Sequence, residues 1–163
     1  MAEKFELTDE MKSKVGWESS PWTYEVTTTS VRAFARGVGY TDQVYFDIEA
    51  AKKAGYRNLP APPTYLGTAV FIPGKSDDTL SFPPGSFPDV KHGLPGLLDG
   101  GTETEYFDQI CAGDILTGTA RLASLDVKES KGLGKMLIVS SESIFKNQEG
   151  KVIAIQRGQA IFY

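Results

Sequence analysis

The chain has 163 residues, 40% of them hydrophobic and 23% charged, with a net charge of −4. That suits one globular domain over 1–163 with a core of its own, and it offers no positive field to draw in nucleic acid or an anionic membrane. The lone Cys111 excludes an internal disulfide and points to a reducing, cytoplasmic setting; the polar start Met1-Ala-Glu-Lys-Phe-Glu does not read as a signal peptide, and no apolar run reaches the ~20 residues of a membrane span.

In chain order, residues 7–15 read as a short helix with Thr8 as N-cap and Gly16 beyond its end. Residues 17–22 are an irregular link. Residues 23–29 alternate and are rich in strand formers, so they predict a first strand. Ser30 then caps a helix whose Val31, Phe34, Ala35 and Val38 fall at i, i+3, i+4 and i+7. Gly37 and Gly39 end it. A polar and aromatic link over 40–46 follows. Asp47 is the N-cap expected for a helix over 48–54, with Gly55 at its stop.

The stretch Leu59-Pro-Ala-Pro-Pro-Thr-Tyr-Leu-Gly-Thr-Ala-Val-Phe-Ile72 organises the rest. Pro63 fits the first turn of a helix, where its missing N–H costs nothing. Tyr65 onward is almost wholly apolar until Pro73-Gly74. A short helix over 64–72 that is apolar on all sides must be buried on all sides. Residues 73–96 hold Pro73, Pro83, Pro84, Pro88 and Pro95 with several glycines, and predict a long irregular loop, of the kind that serves as a lid or a contact. Four extended runs finish the chain, over 97–110, 114–127, 135–146 and 152–163. Residues 128–134 and 147–150 are turns. Short links predict an antiparallel meander. The expected architecture is α+β, about five strands around one buried helix.

Chemistry is sparse. The only histidine, His92, reads as an exposed loop residue. One histidine and one cysteine make no metal set, so no metal is expected. There is no dinucleotide fingerprint, phosphate loop or nucleophile elbow, and hence no cofactor. Glu103 and Glu105 share one face of a strand, with Asp126 and Glu142 elsewhere. Paired carboxylates can move protons, but a solvated strand face is the plainer reading. In Gly37-Val-Gly-Tyr-Thr-Asp-Gln-Val-Tyr-Phe-Asp-Ile-Glu-Ala-Ala51, Asp42 suits a turn as well as a catalyst, and Asp47 suits a helix cap.

Three pieces in order carry a resemblance over residues 22–163. They are Tyr40-Thr-Asp-Gln-Val-Tyr-Phe-Asp with the following Ala-Ala-x-x-Ala-Gly-Tyr, then Leu59-Pro-Ala-Pro-Pro-Thr-Tyr, then Leu97-Leu-Asp-Gly-Gly-Thr-Glu-Thr-Glu-Tyr-Phe with Ala112-Gly-Asp-Ile-Leu-Thr-Gly. The chain resembles the MaoC-like, FAS1-type dehydratase N-terminal family of hot dog fold. It is similar in particular to accessory subunits of mycobacterial-type (3R)-hydroxyacyl-ACP dehydratases. The resemblance implies reversible hydration of trans-2-enoyl thioesters, on CoA or acyl carrier protein. Active members carry Asp-x-Asn-Pro-Leu-His, in which Asp and His activate water, and a glycine N–H at the start of the central helix holds the thioester oxygen.

This chain departs from that pattern. Asp42 aligns with the aspartate, but Tyr45 stands in place of the histidine, and a neutral tyrosine is a poor base at neutral pH. Pro63 stands in place of the glycine donor and has no N–H to give. The Thr64 N–H is free to substitute at a helix N-terminus. The resemblance therefore implies the half of a double hot dog that lacks the catalytic pair and supplies the interface and the acyl-chain channel. Its partners are an acyl-CoA or acyl-ACP thioester and a catalytic hot dog subunit. Tyr65, Phe71, Phe82 and Phe87 are candidate channel residues, with ordinary core an equal reading for Tyr65 and Phe71. The rival expectations are a homodimeric thioester enzyme, for example a thioesterase using Asp42 or Asp99, and a non-catalytic acyl-CoA binding module.

Overall fold

The computed structural model describes residues 5–67 and 88–163, with Tyr24 described by its backbone only. In chain order the elements are α1 (Asp9–Lys12), β1 (Trp22–Glu25), α2 (Thr28–Gly37), α3 (Ile48–Lys53), β2 (Leu97–Tyr106), β3 (Ile115–Ser130), β4 (Gly134–Lys146) and β5 (Val152–Phe162). Among the described residues, one 3₁₀ turn, Gln43–Tyr45, sits between α2 and α3 and another, Tyr65–Gly67, between α3 and β2.

Local side chains set the helix starts as the sequence suggests. The Thr8 hydroxyl accepts from the Met11 N–H, and the Asp47 carboxylate accepts from the Ala50 N–H at 2.7 Å. The first strand is shorter than its alternation predicts. Thr27, not Ser30, is the N-cap of α2. Thr27 and Ser30 exchange side-chain and backbone hydrogen bonds at 3.0 Å, a capping box that starts the helix at Thr28 and takes residues 28–29 out of the strand.

The strands make one antiparallel sheet in the order β1-β3-β4-β5-β2. The expected meander holds for β3, β4 and β5, while β2 lies at the far edge against β5. The cause is the link from β2 to β3. It pairs with the head of the central stretch, through Ala61 N–H to the Ile110 carbonyl and Ala112 N–H to that of Leu59, at 2.8 and 2.9 Å. These bonds end β2 at Tyr106 rather than at residue 110. They carry the chain across the sheet end before β3 begins beside β1.

Alternation along β4 puts Leu137, Val139, Ser141, Ser143 and Phe145 on the inner face. That face holds an apolar cluster at each end. One joins Leu59, Tyr65, Leu66, Leu116, Phe145 and Ala154, and the other joins Met11, Leu122, Leu125 and Leu137. The expected central helix starts within the first cluster. Tyr65 and Leu66 are buried, and Tyr65–Gly67 forms a 3₁₀ turn; positions 68–72, with Phe71, Phe82 and Phe87, lie outside the described residues.

Candidate functional site

The stretch from Arg57 to Leu66 is fastened at several points. Arg57 forks onto Asp114, with Nη1 donating to Oδ1 at 2.6 Å and Nη2 to Oδ2. Nη2 also reaches the Gln109 carbonyl at 3.1 Å. The Asp114 side chain is buried, and its Oδ2 accepts the Cys111 N–H at 2.9 Å. Burial alone would raise the Asp114 pKa; the Arg57 and Cys111 hydrogen bonds outweigh it and hold the carboxyl below its ordinary value. This fork ties the start of the stretch to the turn before β3.

Further along, Pro62 is buried while Pro63 and Thr64 are exposed. Pro63 offers a carbonyl but no N–H, and that carbonyl accepts the hydroxyl of Tyr106 from β2. Burial pushes the Tyr106 hydroxyl up to about 12, so it stays a donor at neutral pH. The Tyr65 ring packs edge-on against Phe34, with centroids 5.6 Å apart. Its hydroxyl lies 2.8 Å from that of Ser30 in the capping box. Tyr65 thus belongs to the main core cluster.

Asp42 caps and Tyr45 ends the 3₁₀ turn ahead of α3. The Asp42 carboxylate is exposed and accepts the Val44 N–H at 3.1 Å, as turn chemistry suggests. Tyr45 is half-buried against Tyr40, with centroids 5.1 Å apart. Burial first, then Tyr40, Tyr56 and Asp42, raise its pKa above the ordinary value. A phenol shifted upward holds less phenolate at pH 7 than a free one, and so has less base to offer. Asp99 accepts the Gly101 N–H at 2.8 Å within a bulge of β2. Among the described residues no group of histidine, cysteine, aspartate and glutamate could hold a metal ion.

The expectation of an exposed His92 is corrected. The ring is half-buried, tilted at 40° against Phe162 with centroids 4.1 Å apart, and Nδ1 accepts the Leu94 N–H at 3.1 Å. Burial lowers its pKa. It lines a cavity of about 600 Å³ on the inner face, with Leu97, Val139 and Phe162 as apolar wall and Ser141 and Gln156 as polar strip. Sequence reasoning missed this cavity, and also Tyr106 and the Arg57–Asp114 fork. Only the period-2 alternation of Thr102, Thr104 and Tyr106 hinted that Tyr106 turns inward.

The sheet order and the inward stretch at its centre are those of a hot dog fold. The chain belongs to the family described as the FAS1-like, dehydratase domain region, whose model matches residues 13–156. It is similar to a UPF0336 protein of Parafrankia sp. (strain EAN1pec), 33% identical over 131 residues that span 80% of this chain and 79% of that protein. In fold it matches the ChsH1-ChsH2 complex of Mycobacterium tuberculosis with a TM-score of 0.74 at 17% identity, over 94% of this chain and 87% of that one. It also matches the C-terminally truncated HadBC (3R-hydroxyacyl-ACP dehydratase) complex of the same organism with a TM-score of 0.65 at 19% identity, over 91% and 96%. No helix among the described residues is long and apolar enough to cross a membrane.

Proposed function

We propose that this chain is the accessory half of an (R)-specific enoyl-thioester hydratase/(3R)-hydroxyacyl-thioester dehydratase. It would pair with a hot dog subunit that carries the catalytic Asp and His. In the hydration direction the partner's base takes a proton from water, the oxygen adds at C3, and C2 receives a proton. The observation that carries the reading is the head of the central stretch, where Pro63 has no N–H and its carbonyl already holds Tyr106. A thioester oxygen needs donors there, and a carbonyl repels it. The raised pKa of Tyr45 and the capping role of Asp42 support the same reading.

The chain's part is then to supply interface and acyl channel. Thr64 and Tyr65 border the thioester end, the inner-face cavity would take part of the acyl chain, and Phe71, Phe82 and Phe87 remain proposed channel residues. The test is substitution within the co-purified complex. Asp42→Asn and Tyr45→Phe should change turnover by only a few-fold. Replacing the partner's catalytic histidine should lower it by roughly 10²–10⁴, the scale of a lost acid–base group. A loss of that size from either substitution here, with the circular dichroism unchanged, would instead favour the homodimeric enzyme.

A further inference from the structure

β2 ends the sheet, and among the described residues only β5 pairs with it. Its other side carries open backbone donors and acceptors, a template for another strand. The Gly100–Gly101 bulge breaks the first half of the ladder, whereas Thr102–Tyr106 keeps unbroken register with β5. Apolar side chains lie exposed at its two ends, Leu97 at 61% and Leu98 at 44% before the bulge and Phe107 at 51% just past the strand. This is an edge built to be covered.

The charges on its outer face state what can cover it. Glu103 and Glu105 both point to the face of Arg157, which lies 3.9 and 3.4 Å away. Arg157 Nε is already on Glu142 at 3.1 Å, and Glu142 also takes Arg121 at 2.9 Å. Three carboxylates thus share two guanidiniums, and the excess negative charge sits at the edge, where Glu103 is 80% and Glu105 53% exposed. A second copy would pair antiparallel about a two-fold axis. Centred on Thr104, that pairing sets Glu103 against Glu105 twice. Centred on Glu103 or on Glu105, it sets that residue against itself. Like charges directly opposite destabilise a strand pair.

We infer that the β2 edge selects against a second copy of this chain and for the edge strand of a different chain, one with lysine or arginine at the two outward positions facing Glu103 and Glu105. This deepens the accessory-subunit reading and rests on it only for the partner being a hot dog chain.

The charge rule can be tested without the partner and without an activity assay. Native mass spectrometry and sedimentation velocity would follow the chain, its Glu103→Lys/Glu105→Lys variant, and an isotope-coded equimolar mixture. The mixed dimer should be at least tenfold tighter than either self-dimer. Added salt should weaken the mixed dimer and strengthen wild-type self-association. Because the new lysines face Arg157, folding is checked by circular dichroism. The neutral Glu103→Gln/Glu105→Gln variant is a second arm, and it should self-associate at least tenfold more tightly than wild type. Wild-type self-association as tight as the mixed pair, or unchanged by the glutamine pair, would overturn the inference. Turnover by the chain alone would strike the accessory reading instead, so the two failures are distinguishable.

Discussion

At the scale of single residues, the Arg57–Asp114 fork is the most consequential contact. It joins positions far apart in sequence and fixes the start of the stretch that carries Pro63 and Thr64. Truncating Arg57 leaves a buried carboxylate held by the Cys111 N–H and the Gln148 side chain, without its charged partner. Arg57→Ala should cost ~3 kcal/mol, the low end for breaking such a pair because the arginine is 53% exposed, as read by chemical denaturation. The acid dependence follows from the lowered Asp114 pKa. Its stabilisation is complete above the unfolded value of about 3.9 and is lost as pH falls through the lower folded value. Wild type should therefore lose Tm steadily below about pH 4, while Asp114→Asn starts lower and falls less over the same window. Parallel curves for the two proteins would show that Asp114 carries no such linkage. Cys111 offers a simpler check. It is buried, and burial raises its thiol pKa, so it should resist a thiol reagent at pH 7 until the domain unfolds.

At the scale of elements, the sequence was informative wherever one side chain decides a backbone bond. Thr8 and Asp47 cap as expected because a short polar side chain beside free N–H groups needs no distant partner. The strand runs were legible from alternation, and the turn at 147–150 from its composition. What was not legible depended on contacts remote in sequence. β2 reads like any hairpin strand, and only the ladder between residues 59–61 and 110–112 sends it to the far edge. Thr27 and Ser30 are both good caps, and only their mutual bonding selects Thr27. Thr27→Ala should lower stability by about 1 kcal/mol, whereas a cap at Ser30 would make it neutral. The packing of β1 has its own test. A Cβ at Gly118 would meet the Trp22 ring at 2.6 Å. Gly118→Ala should then cost ~1–3 kcal/mol through overpacking, measured as a fall in Tm with Trp22 fluorescence shifted; an unchanged melt would mean that Trp22 does not pack there.

At the scale of the whole molecule, the fold and the departures from the family's catalytic pattern were legible for different reasons. The fold shows in the order of its pieces. The departure rests on two residues, Tyr45 and Pro63, whose chemistry follows from residue type alone. The structure adds that the Pro63 carbonyl is met by Tyr106 and that, among the described residues, β2 pairs on one side only. Both features fit a chain that acts within a pair. The central claim is that this chain cannot complete the reaction by itself. The most direct measurement is hydration of crotonyl-CoA, followed spectrophotometrically, by the purified chain alone and by the chain co-purified with a hot dog subunit bearing the Asp and His motif. The account predicts a background rate for the chain alone and robust turnover for the pair, whereas robust turnover by the chain alone would contradict it.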